Sequence, residues 1–206
     1  MAFLSKIEKT ALAVFFPKYG HFNNVPSKGV DSNFDSARFE PVSPLKIFLA
    51  LRKLETLTFE AELSKFVAYD IGSGTGFLIR ILFLFGFKRA IGIEYNQNLV
   101  ERSELNLKKF ITKGTCAIYC DDATIFKIPE GDSVIFFFNP FGQNSIERFF
   151  QNNTDYFSSN KCYVVYINDL HVDKIPNNFL ILFRNSLLKF SISVNQNFDN
   201  NKKVLD

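Results

Sequence analysis

Short apolar runs alternate with longer amphipathic ones along most of the chain. KFVAYDIG predicts a strand, followed by a glycine-rich loop and the helix-like stretch GFLIRILFLFGF. RAIGIE predicts a second strand, and NQNLVERSELNLKKFIT an amphipathic helix marked by Leu99, Leu105, Leu107 and Ile111. TCAIYC and SVIFFFN predict a third and a fourth strand, the fourth apolar throughout, as when both faces of a strand are covered. NSIERFFQNNTDYF predicts one further helix and KCYVVYIN a fifth strand. Two last strand-like runs, FLILFR and LLKFSISV, are joined by a short turn region around Asn185. Strands alternating with helices imply βαβ units and a parallel sheet. The final two runs leave no room for a crossover helix, so they predict an antiparallel hairpin on the sheet edge. The expectation is an α/β domain with a mostly parallel, seven-stranded twisted sheet.

Residues 1–43 differ from the rest. After a first apolar stretch they are punctuated by Pro17, Gly20, Pro26, Gly29 and Pro41, which predicts a partly irregular N-terminal cap ahead of a domain over 44–206. From Pro44, well suited to a first helical turn, PLKIFLALRKLE predicts a helix with Leu45, Phe48, Leu49 and Leu51 available for one face. The chain has 206 residues, enough for one compact domain that buries roughly 70% of its unfolded surface. With 47% hydrophobic residues and 22% charged, it is not a disordered tail protein. The 26 Phe and absent Trp read as core filling, and a net charge of +3 is too mild to name a partner.

No stretch reaches the ~20 apolar residues that span a bilayer; the best run, from Phe77 to Phe87, is broken by Arg80. Lys6, Glu8 and Lys9 before Ala11–Phe16 superficially resemble a leader, but Glu8 and the lack of a small-residue cleavage site favour an amphipathic helix stopped by Pro17. Three cysteines, Cys116, Cys120 and Cys162, lack zinc-ligand spacing and fit a reducing compartment, so the expected location is cytoplasmic.

The sharpest chemical feature is VAYDIGSGTGF, where a strand delivers Asp70 and then Gly72, Gly74 and Gly76. Alternate glycines let the backbone turn sharply and approach a ligand closely. A dinucleotide loop would need its third glycine at 77, which is Phe77, and Asp70 would repel a pyrophosphate. A ligand bearing an ammonium and a sulfonium suits Asp70 better, which favours S-adenosylmethionine over NAD. Glu94 closes RAIGIE 18 residues past Gly76, near the ~20 expected of a carboxylate gripping a ribose diol. In CDDATIF, Asp122 can accept from an adenine amino group while the Ala123 amide donates to a ring nitrogen; the alternative is a turn or N-cap aspartate.

On these residues the chain resembles the class I S-adenosylmethionine-dependent methyltransferases, and more narrowly small stand-alone members without an assigned substrate. The matching elements are Arg38-Phe39-Glu40-Pro41, Asp70 to Gly76, Gly92-Ile93-Glu94, Asp121-Asp122-Ala123 and Asn139-Pro140-Phe141-Gly142, within about Lys28 to Asn168. Thr75 stands where those relatives often carry lysine, and Asp121 replaces a glycine. The resemblance implies a Rossmann-like three-layer sandwich and S-adenosylmethionine as cofactor. It implies Glu40, Asp70, Gly72, Gly74, Gly76, Glu94, Asp122 and Ala123 as its binding residues. It also implies methyl transfer to an acceptor, with Asn139, Pro140 and Phe141 orienting a nucleophile such as a nitrogen. Asn139-Pro140 read without the resemblance is a strand terminator and turn. The acceptor (small molecule, protein or RNA) does not follow from the sequence. Two rivals remain: an NAD-dependent oxidoreductase, and a non-catalytic module that keeps the cofactor and binds protein or RNA.

Overall fold

A computed structural model describes residues 43–58, 63–129, 131–138 and 142–196. Seven strands form one sheet: β1 (Val67–Ile71), β2 (Arg89–Glu94), β3 (Cys116–Cys120), β4 (Ser133–Phe138), β5 (Cys162–Ile167), β6 (Phe179–Asn185) and β7 (Phe190–Asn195). Their order is β3-β2-β1-β4-β5-β7-β6. The first five are parallel; β7 runs antiparallel to both β5 and β6, so the hairpin enters the sheet by its second strand. Sequential order reverses between β1 and β4. In open α/β sheets that switch point opens a crevice at the carboxyl ends of the strands.

Helices α1 (Pro44–Thr58), α2 (Phe77–Leu84) and α3 (Gln97–Thr112) cover one face of the sheet, α4 (Gln143–Asn152) and α5 (Thr154–Ser159) the other. Alternate residues of β4 supply both cores. Val134 and Phe136 belong to the core that holds Leu51, Leu82 and Leu107, while Ile135 and Phe137 belong to the core that holds Ile146, Phe149 and Tyr166. All are buried, which is why this strand reads as an unbroken apolar run.

Three local expectations are corrected. The buried stripe of α1 is Ile47, Ala50, Leu51, Leu54 and Thr58, at i, i+3, i+4, i+7 and i+11, while Phe48 is 50% exposed and meets the edge of Phe85. In α3, Leu105 is 77% exposed while Ser103 and Leu107 take the inward positions against the loop at Gly76, because residue 105 lies about 200° round the helix from both. The single helix expected over NSIERFFQNNTDYF is two, broken at Asn153. There the side chain turns to the preceding loop. Asn153 Oδ1 accepts from Ile128 N (2.9 Å), and Nδ2 donates to the carbonyls of Phe126 and Phe149 (both 3.0 Å). The cap expected over 1–43, including Phe39 and Glu40, lies outside the described residues apart from Ser43.

Asn153 is 2% exposed, so Asn153→Leu strands the Ile128 amide in the core, while Phe126 O keeps Asn152 Nδ2 (3.3 Å) and Phe149 O keeps the backbone amide of residue 153 (3.2 Å). At roughly 1–3 kcal/mol for an unsatisfied buried group, we expect a loss of about 2 kcal/mol, read as a lower urea midpoint at unchanged slope.

Candidate cofactor site

The loop between β1 and α2 is built on left-handed glycines: Gly72, Gly74 and Gly76 have φ of 75, 53 and 76°. Its start is bound to β2, with Gly72 N and Ser73 N both donating to Ile93 O (2.8 and 3.0 Å). Its end presses on α3. A Cβ on Gly76 would lie 2.5 Å from Leu107 Cδ1 and, at φ 76°, would also be strained, so any other residue there must push Leu107 aside and adopt an unfavoured backbone. Gly92 in β2 is equally constrained, since its Cβ would sit 2.7 Å from Ser73 Oγ and 2.8 Å from Ile118 Cδ1. Asn106 of α3 donates through Nδ2 to Thr75 O (3.0 Å), fixing the far side of the loop.

Glu94 joins these parts. Its Oε2 accepts from Gly74 N (2.9 Å) and its Oε1 from Asn96 N (2.9 Å). Asn96 in turn caps α3, its Oδ1 accepting from Asn98 N and Leu99 N. The carboxylate is half-buried; burial raises its pKa, and the amides of Asn96, Gly74 and Tyr95 partly offset that. A carboxylate offers about four lone-pair sites. Two amides leave room for two further donors, the number a ribose diol supplies.

Asp70, at the end of β1, is 2% exposed. Burial first, and the charge of Glu94 second, push its carboxyl up to about 8, and no cation or hydrogen-bond donor among the described residues holds it ionised. The expectation of a standing negative charge at Asp70 is therefore corrected: near neutrality the proton is largely retained. A carboxyl held uncharged beside a carboxylate is a place where an arriving cation would be compensated.

Asp122 follows β3 and is half-buried. It acts first as a turn residue, with Oδ1 accepting from Thr124 N (2.8 Å) and its carbonyl from Ile125 N and Phe126 N (both 3.0 Å). Its own amide is held by Asp121 Oδ1 (2.8 Å), so the extra carboxyl at 121 orders the turn. Ala123 is 4% exposed, and its amide makes no hydrogen bond among the described residues. Register aligns the ends of the strands: Ile71 pairs with Ile93 and Phe137, and Glu94 with Cys120. Asp70, the glycine loop, Glu94 and Asp122 thus come to one end of β1 to β3. Asn139, Pro140, Phe141 and Glu40 lie outside the described residues. Asn96 and Asn106 escape the sequence reading, although Asn96 stands in the N-cap position before an apolar-periodic run.

The donor set fits an adenosyl ligand. A diol can meet Glu94, an ammonium can meet Asp70, and Gly74, without a side chain, suits close approach at the crest of the loop.

No protein-family profile and no curated protein matches the chain in sequence. Solved structures do match in shape. A provisionally assigned RNA methyltransferase from Pyrococcus horikoshii aligns with TM-score 0.59 and 17% identity over 91% of this chain and 94% of that one. A provisionally assigned methyltransferase from Escherichia coli aligns at 0.55 and 14%, over 72% and 86%. A provisionally assigned methylase from Haemophilus influenzae aligns at 0.52 and 15%, over 72% and 98%. The chain has a Rossmann-like methyltransferase fold. In this methyltransferase fold the switch between β1 and β4 places the glycine loop, Asp70 and Glu94 on one side and the β4–β5 ends on the other.

Asp70 also sets a stability trend. Its folded pKa, about 8, exceeds its ordinary 3.8, so the unfolded chain releases the proton first as pH rises. Its contribution is complete below about pH 4 and is lost as pH climbs to about 8. Asp70→Asn removes this loss. We expect the variant to gain stability over the wild type progressively between pH 4.5 and 8 in urea unfolding; a difference independent of pH would mean Asp70 titrates normally.

Proposed function

We propose that the chain is an enzyme that transfers a methyl group from S-adenosylmethionine to an acceptor seated over the ends of β4 and β5. The observation that carries this reading is the clasp of Glu94, a carboxylate fixed by Gly74 N and Asn96 N at the mouth of a left-handed glycine loop (2.9 Å each) beside the buried Asp70. The methyltransferase fold supports it.

Glu94 would accept the ribose hydroxyls, and Asp122 with the Ala123 amide the adenine edge. Asp70 would meet the ammonium. S-adenosylmethionine, when bound, supplies a methyl carbon on a positively charged sulfur, a leaving group already activated. The protein's part is then to position the acceptor and exclude water. Holding two reactants in line can contribute roughly 7–11 kcal/mol without any nucleophile on the chain. In the sequence pattern, Asn139 is the residue for orienting an acceptor nitrogen, with Phe141 stacking on it. The three described cysteines are unpaired, and no described helix is long and apolar enough to cross a membrane, which supports action in a reducing interior such as the cytoplasm.

Calorimetry with S-adenosylmethionine tests the site. Glu94→Ala should reduce binding below detection while the thermal melt stays cooperative; unchanged affinity would remove Glu94 from the site, and NADH displacing the ligand would favour the oxidoreductase reading. Asp70 must give up its proton to face an ammonium, so affinity should rise with pH by up to about tenfold per unit below pH 8, a slope that Asp70→Asn abolishes. Labelled methyl donor incubated with fractionated cell extract then identifies which fraction (small molecule, RNA or protein) carries the acceptor. Tight binding with no labelled product would leave the non-catalytic module.

A further inference from the structure

Acidic and basic side chains are divided along the strand ends. Asp70, Glu94, Asp121 and Asp122 stand at the ends of β1 to β3. Beyond the switch point, the first turn of α1 brings Lys46 to the end of β5, where its ammonium donates to Asn168 Oδ1 at 2.9 Å. Both residues are half-buried. An ammonium can only donate, so it takes the amide oxygen and leaves the Nδ2 group of Asn168 as a donor. The pair thus presents mainly N–H groups, with the amide oxygen already engaged by the ammonium. Among the described residues no carboxylate pairs with Lys46, whereas Arg52 meets Glu55 (2.7 Å), Lys174 meets Glu147 (3.2 Å) and Arg184 meets Asp169 (2.9 Å).

Asn168 is held in place. It is left-handed, with φ 55°, and its carbonyl accepts from Leu170 N at 2.7 Å. The next residue, Asp169, is 3% exposed and bound to Arg184, and its amide donates to Lys189 O at 3.3 Å. Asparagine is among the residues that adopt this conformation readily, so the turn holds the side chain at little cost. Register pairs Ile71 with Phe137 and Phe138 with Ile167, so Asn168 lies two strand spacings, about 10 Å, from the end of β1. That is within the span of an acceptor reaching toward the cofactor loop.

We propose that Lys46 and Asn168 form an oxyanion subsite and that the methyl acceptor carries a phosphate group. This rests on the methyl-transfer reading above. A lone ammonium with an amide beside it suits the many oxygens of a phosphate, whereas a planar carboxylate is better matched by the fork of an arginine. The phosphate can come from a mononucleotide or from an RNA strand.

The test uses the full chain. S-adenosylhomocysteine binding is measured first by calorimetry. The loaded protein is then titrated with a ten-nucleotide single-stranded RNA of mixed sequence, with the four ribonucleoside monophosphates, and with the matching nucleosides. Phosphate-bearing probes should bind and nucleosides should not. Lys46→Gln should weaken binding about tenfold or more, and for the RNA should lower the log–log salt slope by about 0.7, while Lys46→Arg restores most of it. Asn168→Asp sets a carboxylate against Lys46 and should weaken binding at least as much. RNA binding alone identifies a polymer, and equal binding of monophosphates a small acceptor. Nucleosides binding as tightly as nucleotides, no binding of either phosphate probe, or unchanged affinity in a Lys46→Gln protein with wild-type melting would overturn the proposal. Failure to bind S-adenosylhomocysteine counts against methyl transfer instead, and the same titrations on the cofactor-free protein then decide the phosphate subsite.

Discussion

One carboxylate, that of Glu94, ties together the parts that matter most. It takes an amide from the crest of the glycine loop and another from the first residue of the cap of α3, so strand end, loop and helix start share one anchor. Gly76 packed on Leu107 and Asn106 bound to Thr75 fasten the same loop from below. Left-handed glycines make the loop possible, but without these attachments they would leave it free to wander, because glycine has the most conformational freedom to lose. The site is therefore organised by the protein before anything enters it, which is the condition for tight binding of a flexible ligand.

Two carboxyls so close together create a conflict that the fold resolves by protonation. Glu94 has amide donors and Asp70 has burial, so the proton resides on Asp70. A buried acid without a counter-charge lowers stability at neutral pH, and such local compromises are characteristic of binding sites.

Most of the architecture was legible in the sequence for a simple reason. Parallel strands buried on both faces appear as apolar runs, as β4 and β5 do, and a glycine loop between strand and helix announces the first crossover. The close spacing of FLILFR and LLKFSISV identified the hairpin. Helical faces were harder to read. Leu105 was misassigned because an apolar residue on a helix need not point inward, and Ser103, a small polar residue packed beside Gly76, gave no apolar signal for its inward position. The break at Asn153 depends on carbonyls and an amide 4 to 27 residues away, which no local pattern encodes. At the site, residue types and spacing marked Asp70, Glu94 and Asp122, but the ionisation of Asp70 is a property of its surroundings. Lys46 and Asn168, 122 positions apart, meet only once α1 lies along β5.

The hairpin's arrangement has a consequence for biosynthesis. β7 is later in the chain than β6 yet lies between it and β5. During translation the open edge of β5 therefore stays without its neighbour until Asn195 has left the ribosome, so the β4–β5 side of the crevice is completed last and the nascent chain meanwhile exposes a strand to which other chains can adhere.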